Sequence, residues 1–166
     1  LPASAVLPGV ASMRGPLSCL SEARFGIVCG TVGAARACYE AALAYTTERH
    51  QFDRPLAGFQ LVQRKLVEML VQVNRAGLLA LHLGRLKDRG EITPAQISFG
   101  KLDNVRQALD VAREARSLLG ANGITLEYPV IRHMNNLESV YTYEGTHDIH
   151  TLILGHDVTG LAAYSG

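Results

Sequence analysis

The 166-residue sequence has no Cys-x-x-Cys pair. Its three cysteines, Cys19, Cys29 and Cys38, are odd in number and widely spaced. They read as reduced, small apolar residues packed between helices of an intracellular protein. Excess charge of either sign is also missing. Sixteen basic and 15 acidic side chains leave a net charge of +1. That gives no long-range field for nucleic acid or an anionic membrane, and no basic run is interleaved with aromatics. No uninterrupted apolar run reaches the ~18 residues of a membrane span, so none is expected. The first residues lack the basic start and apolar block of a signal peptide, and there is no initiator Met. The expectation is a piece that begins inside something larger. Internal repeats, low-complexity segments and convincing strand alternation are absent too.

What is present is helical periodicity. Residues 1–17 carry Pro2, Pro8 and Pro16 with Gly9 and Gly15, which reads as a linker or strand end. Ser18, or Ser21 a turn later, is the candidate N-cap of a first helix running to about Arg49. Its stripe is Val28, Val32, Ala35, Tyr39 and Ala42. Gly26, Gly30, Gly33, Ala34 and Ala37 on that helix suggest a closely packed neighbour, because glycine otherwise costs helix stability. A second helix, from about Leu61 to Asp88, carries Leu66, Met69, Leu70, Val73, Ala76, Ala80 and Leu83. Lys87 and Arg89 followed by Gly90 close it.

Thr93-Pro94 opens a third helix with the stripe Leu102, Val105, Leu109, Ala112, Ala115, Leu119. Gly120-Ala121-Asn122-Gly123 makes a turn. A short fourth helix covers about 127–138. Thr146 caps a fifth, with Ile149, Leu152 and Ile153 inward. The fold class is all-α: an up-and-down antiparallel bundle of four longer helices and one short one.

Three polar–glycine breaks interrupt this apolar bundle: Arg49-His50-Gln51-Phe52, Gly120-Ala121-Asn122-Gly123 and Glu144-Gly145-Thr146. An arginine can pair with phosphate through two hydrogen bonds, a phenylalanine can stack on a flat ring, and glycines let backbone amides approach a pyrophosphate. Together they suggest a flat, phosphate-bearing cofactor near helix ends, although each alone is equally a helix cap. Glu144 lies between Tyr143 and Gly145 without a local salt-bridge partner. A carboxylate held against apolar surface binds its proton more tightly, which suits a general base. The plain alternative is a surface acid at a helix start.

Glu144-Gly145-Thr146-His147 is one Glu-x-x-His. A di-metal bundle needs two such motifs, so no metal site is expected. Neither a Gly-x-Ser-x-Gly nucleophile turn nor a phosphate-binding loop between strand and helix occurs.

Taken in order, Arg49-x-Gln51-Phe52-x-x-Pro55-Leu56, Leu119-Gly120-Ala121-Asn122-Gly123-Ile124 and Tyr143-Glu144-Gly145-Thr146 resemble the C-terminal helical domain of FAD-dependent acyl-CoA dehydrogenases. Residues 16–27, Ile131-Arg132-His133 with Asn136-Leu137-Glu138, and Thr146 to His150 resemble the branch acting on glutaryl-CoA. The resemblance implies that residues 1–17 are the tail of a middle β-domain and 18–166 the helical domain. It makes Glu144 the base that removes the α-proton of the acyl-CoA thioester while the β-hydrogen leaves as hydride to FAD.

By position it implies FAD contacts at Arg49, Gln51, Phe52, Gln60, Ser117, Leu118, Leu119, Gly120, Ala121, Thr146, Asp148 and Tyr164. Substrate contacts fall at Leu17, Ser18, Cys19, Leu20, Ser21, Glu22, Ala23, Arg24 and Gly145. A homotetramer is implied, in which FAD also touches a neighbouring subunit, with an electron-transfer flavoprotein as acceptor. The compartment would be a bacterial cytoplasm or a mitochondrial matrix. The alternative is an isolated helical module that assembles without catalysing. Asp53 stands where the family usually has Gly, Ala121 where it has a second Gly, and His156 where Arg is common.

Overall fold

The computed structural model describes residues 2–10 and 12–163. The implied contact at Tyr164 lies outside them. Five α-helices make up the described chain: α1 (Arg14–Glu48), α2 (Gln60–Asp88), α3 (Pro94–Leu118), α4 (Val130–Thr142) and α5 (His147–Thr159). Three are long, at 35, 29 and 25 residues, and two have 13, so the expected four-to-one split is three-to-two. Helix α3 is the central element, packed against all four others.

The first helix begins earlier than Ser18. Arg14, Gly15 and Pro16 form its first turn, where a proline costs nothing because that N–H would be unpaired anyway. Neither candidate serine is a cap. The Ser18 hydroxyl donates to the Gly15 carbonyl and the Ser21 hydroxyl to that of Leu17, both inside the helix. The third helix starts as the sequence predicts. Thr93 and Gln96 form a reciprocal capping box, with Pro94 as the first helical residue. Gly90, at φ 68°, ends α2 as expected. The residues after Gly120 wind into a short 3₁₀ turn, Gly120–Ile124.

The core runs along α1, α2 and α3, with Val130 and Leu137 of α4 closing it. Most stripe positions are where periodicity puts them, with three corrections. Leu70 is 41% exposed. In α3 the inward residue of the second turn is Lys101, not Leu102. In α5 it is His150, while Ile149 is 45% exposed. Thr146 sets that phase: its hydroxyl accepts from the Ile149 amide, which brings the following residue round to the inner face.

Two more sequence expectations change. Only Cys38 packs as a small apolar residue, its thiol pushed up to about 12 by burial; Cys19 and Cys29 are exposed. The glycines Gly26, Gly30 and Gly33 meet no neighbour, since a Cβ on any of them would find nothing within 4 Å. Finally, α1 and α2 each contain an 18-residue window of mean hydropathy 1.2, enough by length and composition alone to cross a membrane. Only 28% of each window is buried, so apolar residues remain on their outer faces.

Candidate active site

The segment between α4 and α5 holds two consecutive left-handed residues. Glu144 has φ 57° and Gly145 φ 90°. A left-handed glutamate is strained and persists only where its surroundings hold it. Here three consecutive carbonyls are held by cations. Lys101 Nζ donates to the Tyr143 oxygen at 3.0 Å and to the Gly145 oxygen at 2.7 Å. Arg24 Nε donates to the Glu144 oxygen at 2.8 Å. Lys101 is 1% exposed, and burial, with Arg24 nearby, lowers its pKa to about 8.

Beneath this loop lies His150, fully buried, with no hydrogen-bond partner at either ring nitrogen. Burial, then Lys101 and Arg24, lower its pKa to about 4, so the ring is neutral at physiological pH. His147, the histidine of the single Glu-x-x-His, stacks on Tyr141 at 4.8 Å between centroids. Among the described residues no three His, Cys, Asp or Glu are placed to hold a metal ion.

With its backbone pinned, the Glu144 side chain faces a cleft of about 580 Å³ between α1 and α4. Gly26, Gly30, Gly33 and Ala34 line its α1 side, and His133, Asn136, Leu137 and Val140 its α4 side. The missing glycine side chains therefore open a channel where close helix packing was expected. Burial, then Arg132, lower the pKa of His133. Glu144 Oε2 is buried without a hydrogen-bond partner, and among the described residues no ion pair reaches its carboxylate. An acid that lines an apolar cleft and has a carboxylate oxygen without a hydrogen-bond partner can accept a proton from a molecule lying there.

Gly145 is needed for its backbone and for space. A Cβ there would lie 3.0 Å from His150 Nε2 and 3.4 Å from an Arg24 nitrogen. Residues Leu17 to Arg24 form consecutive turns of α1, so they spread round the helix and cannot all face one ligand. Ala23 lines the Glu144 cleft. Leu17, Ser18, Ser21, Glu22 and Arg24 line a second hollow with Ile92 and Ile97. Glu22 is paired with Lys87 at 2.6 Å. Cys19 is exposed and Leu20 half-buried.

The other two breaks meet at the opposite end of α1. Arg49, Asn122, Tyr45, Glu48 and Tyr128 line one hollow, where Asn122 donates to the Tyr45 hydroxyl at 3.1 Å. A strand pair, β1 (His50–Gln51) with β2 (Arg54–Pro55), carries Phe52 at its tip, 85% exposed. This hairpin was not expected from the sequence. Its turn puts Phe52 at φ 54° and Asp53 at φ 62°, which explains why glycine is usual at position 53 in the family this chain resembles. Arg49, Gln51 and Gln60 are exposed, and among the described residues Arg49 has no ion-pair partner.

Ser117, Gly120 and Ala121 are exposed at the same end, and Lys65 donates to the Ser117 hydroxyl at 3.3 Å. The Leu119 side chain is 1% exposed within the core, because it continues the α3 stripe, which leaves its backbone for any cofactor contact. Leu118 packs half-buried beside it. Thr146 and Asp148 are exposed near Glu144.

The three breaks therefore do not form one site. From Arg24 to Arg49, α1 spans about 37 Å at roughly 1.5 Å per residue, longer than one extended dinucleotide. Sequence reasoning also missed Lys101 and Asn104. The Asn104 amide donates to Val28 of α1 at 3.0 Å and Ala76 of α2 at 3.2 Å, tying three helices together. Both polar residues fall on the apolar stripe of α3 at helical spacing, and that was the available signal.

A family model described as the C-terminal domain of acyl-CoA dehydrogenases matches residues 13–159. Glutaryl-CoA dehydrogenase of Desulfococcus multivorans is 34% identical over 143 residues, covering 86% of this chain and 37% of that protein. The crystal structure of glutaryl-CoA dehydrogenase from Mycobacterium smegmatis superposes with a TM-score of 0.97 at 61% identity, over 99% of this chain and 43% of that one. A second structure, of a glutaryl-CoA dehydrogenase from the same organism in complex with FADH2, gives 0.96 at 56% identity, with the same coverage. The chain thus spans about two fifths of the length of these relatives.

Proposed function

We infer, because the chain belongs to the acyl-CoA dehydrogenase family, that it is the C-terminal domain of an FAD-dependent glutaryl-CoA dehydrogenase with Glu144 as catalytic base. The observation that carries this reading is the Glu144 carboxylate: an unengaged buried oxygen at the end of an apolar cleft, on backbone held by Arg24 and Lys101. Glu144 takes the α-proton of a thioester lying in the cleft. Leu137, Val140 and the glycine face of α1 exclude water from the acyl chain. When bound, FAD supplies two-electron oxidation, taking up the β-hydrogen as hydride. The resulting glutaconyl thioester loses CO2 from its distal carboxylate and takes up a proton at the carbon so freed, giving crotonyl-CoA, and electrons pass on to an electron-transfer flavoprotein.

The residues at the Arg49 end fit part of such a cofactor. An exposed guanidinium without an ion-pair partner suits a phosphate, and the exposed Phe52 ring suits a flat base. Their distance from Glu144 supports a homo-oligomer in which this end serves the cofactor of a neighbouring subunit. The outer face of α2 supports the same reading. Val67, Leu70, Val71, Leu78 and Leu81 are 41–67% exposed along one apolar stripe, a face suited to a second copy in a homotetramer. The same stripe favours the second reading, in which the isolated chain assembles without turning over. Stoichiometric FAD on the purified 166-residue chain would overturn that one.

The test of the main reading is Glu144→Gln in the full-length protein. Substrate still binds, and flavin bleaching slows at least 10²–10⁴-fold, the usual contribution of a general base. Bleaching at the wild-type rate would remove Glu144 from the mechanism.

A further inference from the structure

Among the described residues Lys101 is the one lysine in the buried core. A buried ammonium is expensive unless its protons are used. A simple helix cap would account for the bond to the Tyr143 carbonyl, since that residue ends α4 and cations favour helix C-termini. It does not account for the shorter bond, to Gly145, whose carbonyl precedes α5 and belongs to no helix. The two acceptors bracket Glu144. No ion pair joins Lys101 to the Glu144 carboxylate among the described residues, although that charge is near enough to favour the ammonium; its hydrogen bonds go to the backbone on either side of that side chain.

We propose that Lys101 is a positioning residue for Glu144: by donating to the carbonyls of Tyr143 and Gly145 it fixes the left-handed backbone between them and aims the carboxylate into the α1–α4 cleft. The proposal rests on the reading of Glu144 as the base. Arg24 supplies the third carbonyl bond from α1, and His150 packs beneath Gly145 from α5, so the loop is held from three helices. Lys101 lines neither the Glu144 cleft nor the hollow beside Arg24, so it acts through the loop. Its loss lets the loop relax, and a displacement of about 1 Å in a reacting group can cost about 10²-fold in rate.

The experiment uses the full-length holoenzyme, with rapid-mixing measurement of flavin bleaching by glutaryl-CoA. Lys101→Met removes both donors. Its bleaching rate at saturating substrate falls about 10²-fold, while substrate affinity stays within a few-fold of wild type at equal FAD content. Lys101→Gln keeps an amide donor on a shorter stem and falls between the two. A wild-type rate in Lys101→Met overturns the proposal, as does a Lys101→Gln rate no better than that of Lys101→Met. If Lys101→Met does not accumulate as holoenzyme, Lys101→Gln decides alone. A roughly tenfold slower bleaching with unchanged affinity supports positioning, since lost rate without lost binding marks an interaction felt at the transition state, and a wild-type rate overturns it. Glu144→Gln run alongside separates the two ideas. An inactive Glu144→Gln with a fully active Lys101→Met overturns only the role of Lys101, whereas an active Glu144→Gln removes the base and with it anything to position.

Discussion

The two ends of α1 both carry left-handed, non-glycine residues in short connections, and they are held in opposite ways. At the Glu144 end, buried or half-buried cations from α1 and α3 bind three successive carbonyls, and a fully buried histidine fills the space beneath. At the Arg49 end, Phe52 and Asp53 sit in a turn closed by a strand pair of two residues a side, and Arg49, Gln51 and Phe52 face solvent. At the first end the carbonyls of the loop are held from within the chain. The second presents its polar and aromatic groups to solvent. A proton acceptor has to be aimed to within about half an ångström, so it needs a rigid shell from its own domain. A phosphate-binding arginine tolerates more freedom, because the ligand itself orders it.

The strongest way to break this comparison is Gly145→Ala. At φ 90° an alanine is strained, and its Cβ would press within 3.0 Å of His150 Nε2. His150 and Arg24 would have to move, and turnover of the full-length enzyme falls about 10²-fold, the cost of a misplacement near 1 Å. An alanine with wild-type turnover would mean that the loop is softer than its hydrogen bonds imply. Gly26→Ala, in the open cleft wall, is the control: space is free around it, and a helix gains from alanine, so the protein is stabilised by up to about 1 kcal/mol.

His150 sharpens the comparison through pH. Its pKa in the folded protein is about 4, against an ordinary 6.5. The unfolded chain therefore binds this proton first as pH falls. The stability that depends on a neutral ring is complete above about pH 6.5 and is lost progressively towards pH 4, by about 3 kcal/mol in all. Thermal midpoints of wild type and His150→Phe between pH 7 and 4 should diverge accordingly, with the variant less acid-sensitive. Equal slopes would show that the ring becomes charged without opening the loop.

At the Arg49 end, Arg49→Ala should leave the thermal midpoint of the apoprotein within the equivalent of about 0.5 kcal/mol, because an exposed side chain without partners is removed. It should weaken FAD retention in the full-length protein, read as flavin lost on gel filtration. Full retention would place the cofactor elsewhere.

Much of this was legible from periodicity and punctuation. The N-cap at Thr93 and the stop at Gly90 are local chemistry and fell where expected. Glu144 stood out by its neighbours. The clamp on it did not, because Lys101 is 43 positions away and reaches the loop only through α3 packing. Periodicity gave Leu102 the inward place by hydrophobicity, although Lys101 lies on the same row as Ile97, Val105 and Ala108, all buried. The glycines of α1 were misjudged because a missing side chain serves close packing and an open cleft equally well. The separation of Arg49 from Glu144 follows from the length of α1, yet the shared polar–glycine character of the breaks invited joining them in one site.

The smallest effect tests the hairpin itself. Asp53 adopts φ 62° in a turn whose two central residues are both left-handed, a geometry that favours Asn-Gly or Asp-Gly. Asp53→Gly relieves the left-handed cost, about 1 kcal/mol for a residue with a Cβ and less for aspartate. It also frees the unfolded chain, which costs roughly 0.5–1 kcal/mol. The two nearly cancel, so the thermal midpoint should shift by the equivalent of less than about 0.5 kcal/mol. A stabilisation well above that would show strain stored in this turn, held by contacts comparable to those around Glu144. The two ends would then differ in exposure but not in how firmly they are built.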